Sequence, residues 1–269
     1  PIARGAAFQA RGMQALVSGD AAAHVEFVSQ SAEGFEQGGD LRSASLARVN
    51  VGYGLLVLGD PRGAQDKLEA ALLWSEPLGL GYVTAAARHN LGMALAYQGR
   101  LPEAIALETQ AIEEGLHLGD KRLEGASRIY LGLMLADSGD LAGAEREARR
   151  AIELLEVAAP VRMHALAALA HVLVRAGRHG EALGVALEGM ETLEGIGDVE
   201  EGEALMRLSY ARALEASGDV AGARRELLAA RERVLHSAAK IQDAATRERF
   251  LSGIPEHRQI LESAARFEA

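Results

Sequence analysis

Histidines and acidic pairs are the residues here that could do chemistry, and their spacing argues against it. The chain has eight histidines and no cysteine, so thiolate metal sites and disulfides are excluded. His164 and His171 share one predicted helix but stand seven apart, not the four that lets two imidazoles grip one zinc ion. Gly79-Leu80-Gly81 opens like a dinucleotide fingerprint, yet Thr84 stands where the third glycine belongs, and a helix precedes it where a strand is required. No serine sits in a nucleophile-elbow sequence. Glu113-Glu114 and Glu200-Glu201 are adjacent, point in different directions on a helix, and read as solvated faces. Arg48, Arg88, Arg128 and Arg207 recur as a column interrupted by Leu166. They form either a basic ladder for an acidic partner or, as the simpler reading, stems spread over packed helices with heads on neighbouring Glu. No residue argues for an enzyme, a cofactor or a bound metal. The expected work is binding.

Composition narrows the partner. The 269 residues are 49% hydrophobic and 25% charged, which excludes a disordered chain. A net charge of −10 repels phosphate backbones and argues against nucleic acid, and serves solubility. No apolar run approaches the roughly 20 residues of a membrane span, and no basic-then-apolar signal opens the chain. The absence of cysteine fits a reducing compartment, so the expected location is the cytoplasm. The sequence begins Pro1-Ile2 without Met, the expectation being a piece of a longer protein.

The elements that position these residues are set by a repeat. A Gly followed by Asp or Arg, with Ala or, in the first case, His24 five after the Gly, recurs at Gly19, Gly59, Gly99, Gly139, Gly177 and Gly218. The spacings are 40, 40, 40, 38 and 41 residues. Seven before each glycine stands Gly12, Gly52, Gly92, Gly132, Ala170 or Ala211, and four before it Ala15, Leu55, Leu95, Leu135, Leu173 or Leu214. Small residues let two helices approach, and the leucine column fills their seam. Apolar residues otherwise return at three and four, the helical period. Each repeat therefore reads as helix, tight turn, antiparallel helix, with the Gly ending the first helix and the Asp capping the second. First helices are predicted at 2–18, 41–58, 80–98, 121–138, 160–176 and 199–217. Second helices are predicted at 21–37, 61–77, 101–118, 141–157, 179–195 and 220–238. Gly39-Asp40, Gly79-Leu80, Gly119-Asp120, Ala159-Pro160 and Gly197-Asp198 separate the hairpins.

The stretch Arg88-His89-Asn90-Leu91-Gly92-Met93-Ala94-Leu95-Ala96-Tyr97-Gln98-Gly99-Arg100-Leu101-Pro102-Glu103-Ala104-Ile105 resembles a tetratricopeptide repeat almost position by position. The period of about 40, against about 34 for the usual repeat, is similar to the longer subclass of kinesin light chains and many bacterial signalling proteins. The resemblance covers residues 5–238 and is weakest in the first repeat, where Arg11 and His24 replace apolar and small residues. It implies an all-α, right-handed superhelix of antiparallel helix pairs. The tail, with Arg247-Glu248-Arg249-Phe250-Leu251 and Ile254-Pro255-Glu256-His257, resembles the closing element of C-terminal repeat arrays in bacterial multidomain regulators linked to Ser/Thr kinases or ATPases. The expected organisation is six hairpins over 1–238 and capping helices over 239–269, near 242–252 and 255–267, since a stack needs its apolar end covered.

The same resemblance implies a concave groove lined by first helices. Its columns here supply Asn50, Tyr53, His89, Asn90, Met93, Ile129, Tyr130, Leu133, His171 and Arg212 as ligand-binding candidates. Asn50 and Asn90 stand where related repeats hold a ligand's main chain, an amide offering both donor and acceptor; they equally suit bridges between helices. The basic residues of a carboxylate clamp are missing from its columns, so that function is not carried over. Tyr53, Met93, Ile129, Tyr130 and Leu133 instead suit an apolar or amphipathic segment of a protein or peptide. The expected function is a non-catalytic scaffold or sensor in a bacterial signalling regulator. The alternative is a structural module that packs on its own missing domains or on a second copy.

Overall fold

Each of the six turn glycines has φ between +73° and +95°, the left-handed backbone that ends a helix without a Cβ penalty. The residue after it returns its amide to the carbonyl four before the Gly. Asp20 bonds Ala15, Asp60 Leu55, Arg100 Leu95, Asp140 Leu135, Arg178 Leu173 and Asp219 Leu214, all at 2.8–3.0 Å. This closure reverses the chain within two residues. The Asp then caps the second helix: Asp20, Asp60, Asp140 and Asp219 accept from the amides of Ala23, Gly63, Gly143 and Gly222. Where Arg replaces Asp, the side chain turns to an acid three residues on, Arg100 to Glu103 and Arg178 to Glu181.

The computed structural model describes residues 1–197, 199 and 201–267. Asp198 of the Gly197-Asp198 boundary and Glu200 of the Glu200-Glu201 pair lie outside the described residues. Among those described, all regular structure is helical, in fourteen helices. First helices are α1 (Ile2–Val17), α3 (Leu41–Val57), α5 (Gly81–Tyr97), α7 (Lys121–Ser138), α9 (Ala159–Arg175) and α11 (Glu203–Ala216). Second helices are α2 (Ala21–Gln37), α4 (Pro61–Ser75), α6 (Leu101–Leu118), α8 (Leu141–Leu154), α10 (His179–Ile196) and α12 (Val220–Ala239). The tail forms α13 (Ala244–Ser252) and α14 (Pro255–Ala265). The fold is thus an all-α stack of antiparallel hairpins. Three ends of the hairpin helices differ from the spacing by two residues or more, one being that of α8, which stops at Leu154, three residues short. Helix α4 stops at Ser75, before Pro77. Helix α11 starts at Glu203, four residues later than predicted, because Gly202 turns left-handed (φ +88°) against the His164 ring, where a Cβ would stand 2.8 Å from the ring carbon.

The helices group into two units. Unit 1 holds Pro1–Leu118 and Ser237–Ile254; unit 2 holds Gly119–His236 and the residues from Pro255 on. Within unit 1, α3 packs on α5 as well as on its own partner α4. The small column is what permits this: a Cβ at Gly52 would lie 2.5 Å from Leu68 of α4. In the weakest repeat His24 is buried, its Nδ1 donating to the Gly12 carbonyl at 2.9 Å, and Arg11 lies over the Phe27 ring at 4.1 Å. Within unit 2, α7, α9 and α11 form one layer, around a core that includes Ile129, Met163, Leu169, Leu173 and Met206.

The tail is anchored in both units. In unit 1 the turn at Gly59 receives the end of α13: a Cβ on Gly59 would stand 2.3 Å from the Arg249 carbonyl oxygen. Phe250 and Ile254 are buried beside it. In unit 2, α14 packs on α11, with Ile260 fully buried. Gly99 has the same left-handed backbone as Gly59 but nothing within 4 Å of a Cβ. Alanine at either position incurs left-handed strain of about 1–2 kcal/mol. Gly59→Ala is expected to cost about 1–3 kcal/mol more, because it also drives a methyl into backbone. Urea unfolding of the two variants measures the difference; equal losses would show that α13 does not dock on that turn.

Candidate functional site

The arginine column resolves into ion pairs. Arg48 of α3 reaches Glu36 at 2.6 Å and lies over the Trp74 ring. Arg88 of α5 holds Glu76 at 2.7 Å and also Glu114. Arg128 of α7 binds Glu124 at 2.9 Å and Glu147 at 2.5 Å, and Arg207 of α11 binds Glu203 at 2.8 Å and Glu226 at 2.7 Å. Desolvation pulls the Arg128 and Arg207 pKa values down, but the two carboxylates on each outweigh it and leave both raised. These arginines hold helix to helix.

Five of the candidate ligand residues lie in unit 1. Asn50 and Tyr53 on α3 are half-buried. On α5, Asn90 and Met93 are 7% and 3% exposed, and His89 turns its Nδ1 to the fully buried Glu108 of α6 at 3.0 Å. The Gly-rich Gly79-Leu80-Gly81 stretch joins α4 to α5, and Thr84 there donates to the Ser75 hydroxyl at 3.0 Å. It is a turn between helices.

The other five lie in unit 2, where the first helices bring polar groups together. Ile129 has no exposed surface and backs the layer from within the core, with half-buried Leu133 beside it. Tyr130 on α7 is 8% exposed, donates its hydroxyl to Glu201 and meets His164 of α9 edge-on, ring centres 5.4 Å apart. His171, two turns along α9, is half-buried, and its Nδ1 has no hydrogen-bond partner. Its pKa is lowered from 6.5 to about 4, first by burial and then by Arg212 and Arg175, against a smaller pull from Asp137. Arg212 on α11 donates to the Gln259 side-chain oxygen of α14 at 2.7 Å. Its pKa is lowered by desolvation, then by Arg266 and Arg175, with Glu215 and Glu256 opposing. Glu201, Gln259 and Glu256 are the members the repeat columns missed, because two are in the tail and one precedes a helix. Among the described residues no group of three or more His, Asp or Glu could hold a metal ion, and no helix is long and apolar enough to cross a membrane.

Hairpins of this geometry define a tetratricopeptide-like helical solenoid. Residues 84–113 match the tetratricopeptide repeat family model, the stretch that contains most of α5 and most of α6. Among solved structures the chain is similar to a Rap protein complexed with competence and sporulation factor, at TM-score 0.69 and 15% identity, over 96% of this chain and 75% of that one. It is also similar to NprR in complex with its cognate peptide NprX, at TM-score 0.64 and 11% identity, over 97% and 77%. A kinesin light chain of Podosopora anserina with TPR-like repeats aligns at TM-score 0.53 and 17% identity, over 72% and 95%. At these identities the likeness is one of fold. Compared with the curated proteins, the sequence finds no match.

Two side chains of unit 2, His171 and Arg128, carry testable consequences. His171 is neutral in the folded chain down to about pH 4, while the unfolded chain protonates it near 6.5. The unfolded state then binds the extra proton, so this contribution falls as pH drops from 6.5 to 4, by about 3 kcal/mol in all. Subtracting the pH profile of His171→Asn from that of the parent isolates it; a flat difference would refute the assignment. Arg128→Ala strands Glu124, which is 4% exposed, and is expected to cost about 3 kcal/mol. Arg100→Ala, at the exposed Glu103 pair, is expected to leave the thermal midpoint unchanged.

Proposed function

We propose that the chain is a non-catalytic binding module that takes a peptide or protein segment on its first-helix faces, as part of a bacterial signalling regulator. The observation that carries this reading is the polar group in unit 2. Tyr130 on Glu201, the partnerless His171 Nδ1 and the desolvated Arg212 lie along α7, α9 and α11. Hairpin packing does not require them, and apolar residues would stack at least as well, since withdrawing polar groups from water has a cost. Rap and NprR, whose fold this chain shares, were crystallised with a competence and sporulation factor and a cognate peptide. In unit 1, half-buried Asn50 and Tyr53 supply an amide and an aromatic face for an extended or amphipathic segment.

A second reading has its own observation. Leu73, Leu78, Tyr82, Leu116 and Leu118, all 44–75% exposed, sit around the α4–α5 connection and the end of α6. Such side chains suit self-association or a missing domain of the same protein. A peptide library displayed against the immobilised chain separates the two readings. An enriched peptide should lose at least about tenfold in affinity when Tyr130 becomes Ala, with helical content intact by circular dichroism. Binding unchanged after Asn50, Asn90 and Tyr130 are all replaced by Ala would remove this site. No enrichment, with dimers that form as concentration rises, would favour the second reading.

A further inference from the structure

The second helices carry a column of acids. Fourteen residues after the successive turn glycines stand Glu33, Leu73, Glu113, Glu153, Glu191 and Glu232, and all six positions are exposed. The second hairpin alone breaks the column, and its Leu73 is 75% exposed. Leu73 is two residues past Ala71, roughly 200° around α4, and so points away from the buried row of Ala64, Leu68 and Ala71. Packing does not require a leucine there. The exchange recurs seventeen after the glycines, where Glu36, Glu76, Glu156 and Glu194 are matched by Leu116 in the third hairpin and Leu235 in the last. Tyr82 of α5 stands where the hairpins on either side have Arg42 and Arg122.

Leu73, Leu116 and Tyr82 come together around one arginine. Arg88 holds Glu76, at the end of α4, at 2.7 Å, and with its other nitrogen it holds Glu114 of α6. Leu73 and Leu78 flank Glu76 in the chain, and Leu116 and Leu118 follow Glu114. Leu118 reaches the start of α5, 3.4 Å from where a Cβ on Gly81 would stand, and Tyr82 is the next residue. The five exposed side chains make an apolar patch on the order of 500 Å², within the range that is often functional on a monomer.

The surroundings of the patch are acidic. With His117 neutral, Glu69, Glu76, Glu113 and Glu114 outnumber Arg88 and Lys67, and Asp120, Lys121 and Arg122, next along the chain, lower that excess without cancelling it. A second copy is therefore a poor occupant. Two-fold pairing sets the same patch against itself, acids included, and a stable dimer buries about 800 Å² on each partner. The chain's own tail helices are already seated, with Phe250 of α13 and Ile260 of α14 buried elsewhere. We propose that the patch docks one amphipathic helix of another protein. Its aliphatic stripe lies on Leu73, Leu78, Tyr82, Leu116 and Leu118, and Lys or Arg beside the stripe faces Glu69 and Glu113. This surface is additional to the first-helix faces of the peptide reading and does not depend on it.

The probes are two labelled helical peptides of about 18 residues, each with a leucine stripe, one with lysine at the remaining positions and the other with glutamate. Their binding to the full chain is followed by fluorescence anisotropy at physiological salt. Leu73→Glu with Leu116→Glu restores the residue that most other hairpins carry at these exposed positions, so this variant is expected to fold as the parent does. It is expected to bind the lysine peptide at least about tenfold more weakly, although it is the more acidic protein. Non-specific attraction would move the other way, so equal or tighter binding by the variant overturns the proposal. Failure of the lysine peptide to bind the parent overturns it too, as does equal binding of the glutamate peptide. A library peptide that depends on Tyr130 should keep its affinity for the variant; its loss would mean one shared site, against the proposal but not against the peptide reading. A parent that dimerises as concentration rises, with a variant that stays monomeric, gives the patch to a second copy and overturns the proposal.

Discussion

Everything in this chain depends on how abruptly each hairpin turns. A carbonyl four residues before the glycine takes the amide just after it, and the second helix starts at once on its aspartate cap. Helices joined so tightly run nearly in contact. That is why the position seven before each turn holds only Gly or Ala, and why Leu68 lies where any side chain on Gly52 would have to go. Hairpins this thin bury one side only, so each relies on the next to cover the other.

The hairpins were readable because their determinants are local. A Gly-Asp pair fixes a turn whatever lies elsewhere, and the predicted ends of α2, α3, α6 and α7 fall within a residue of those observed. The start of α11 was not readable, because Gly202 responds to the His164 ring, a neighbour supplied by another helix. Distant contacts also decide the site. Met93 and Ile129 carry the right side chains for a greasy groove, yet both are buried, since column position says which way a helix face points and not what lies over it. The tail's seating on α11 and at Gly59 has no periodic signature at all.

Charge plays a different part in the interior from the one it plays at the surface. The arginine column puts guanidinium groups between helices, each paired with one or two carboxylates, and Glu124 and Glu108 are almost wholly out of water. Pairs of this kind add little net stability, because desolvation consumes most of the attraction, but a mispaired register would leave bare charges inside. Forty-residue repeats with near-identical seams are prone to such slips, and the seven ion pairs of these four arginines, which differ in reach, oppose them. Arg212 is the exception: its guanidinium meets a neutral amide oxygen, that of Gln259, at 2.7 Å.

The self-sufficiency of each turn has an evolutionary corollary. Closure, cap and small-residue contact all lie inside one hairpin, and Arg100 and Arg178 show that even the cap can be exchanged for an acid three residues downstream. A duplication or deletion that begins at one turn glycine and ends at the next would cut no such set in two. Arrays of this type can therefore lengthen or shorten by whole modules while the rest of the chain folds as before, and the number of hairpins becomes something selection can adjust to the size of what must be held.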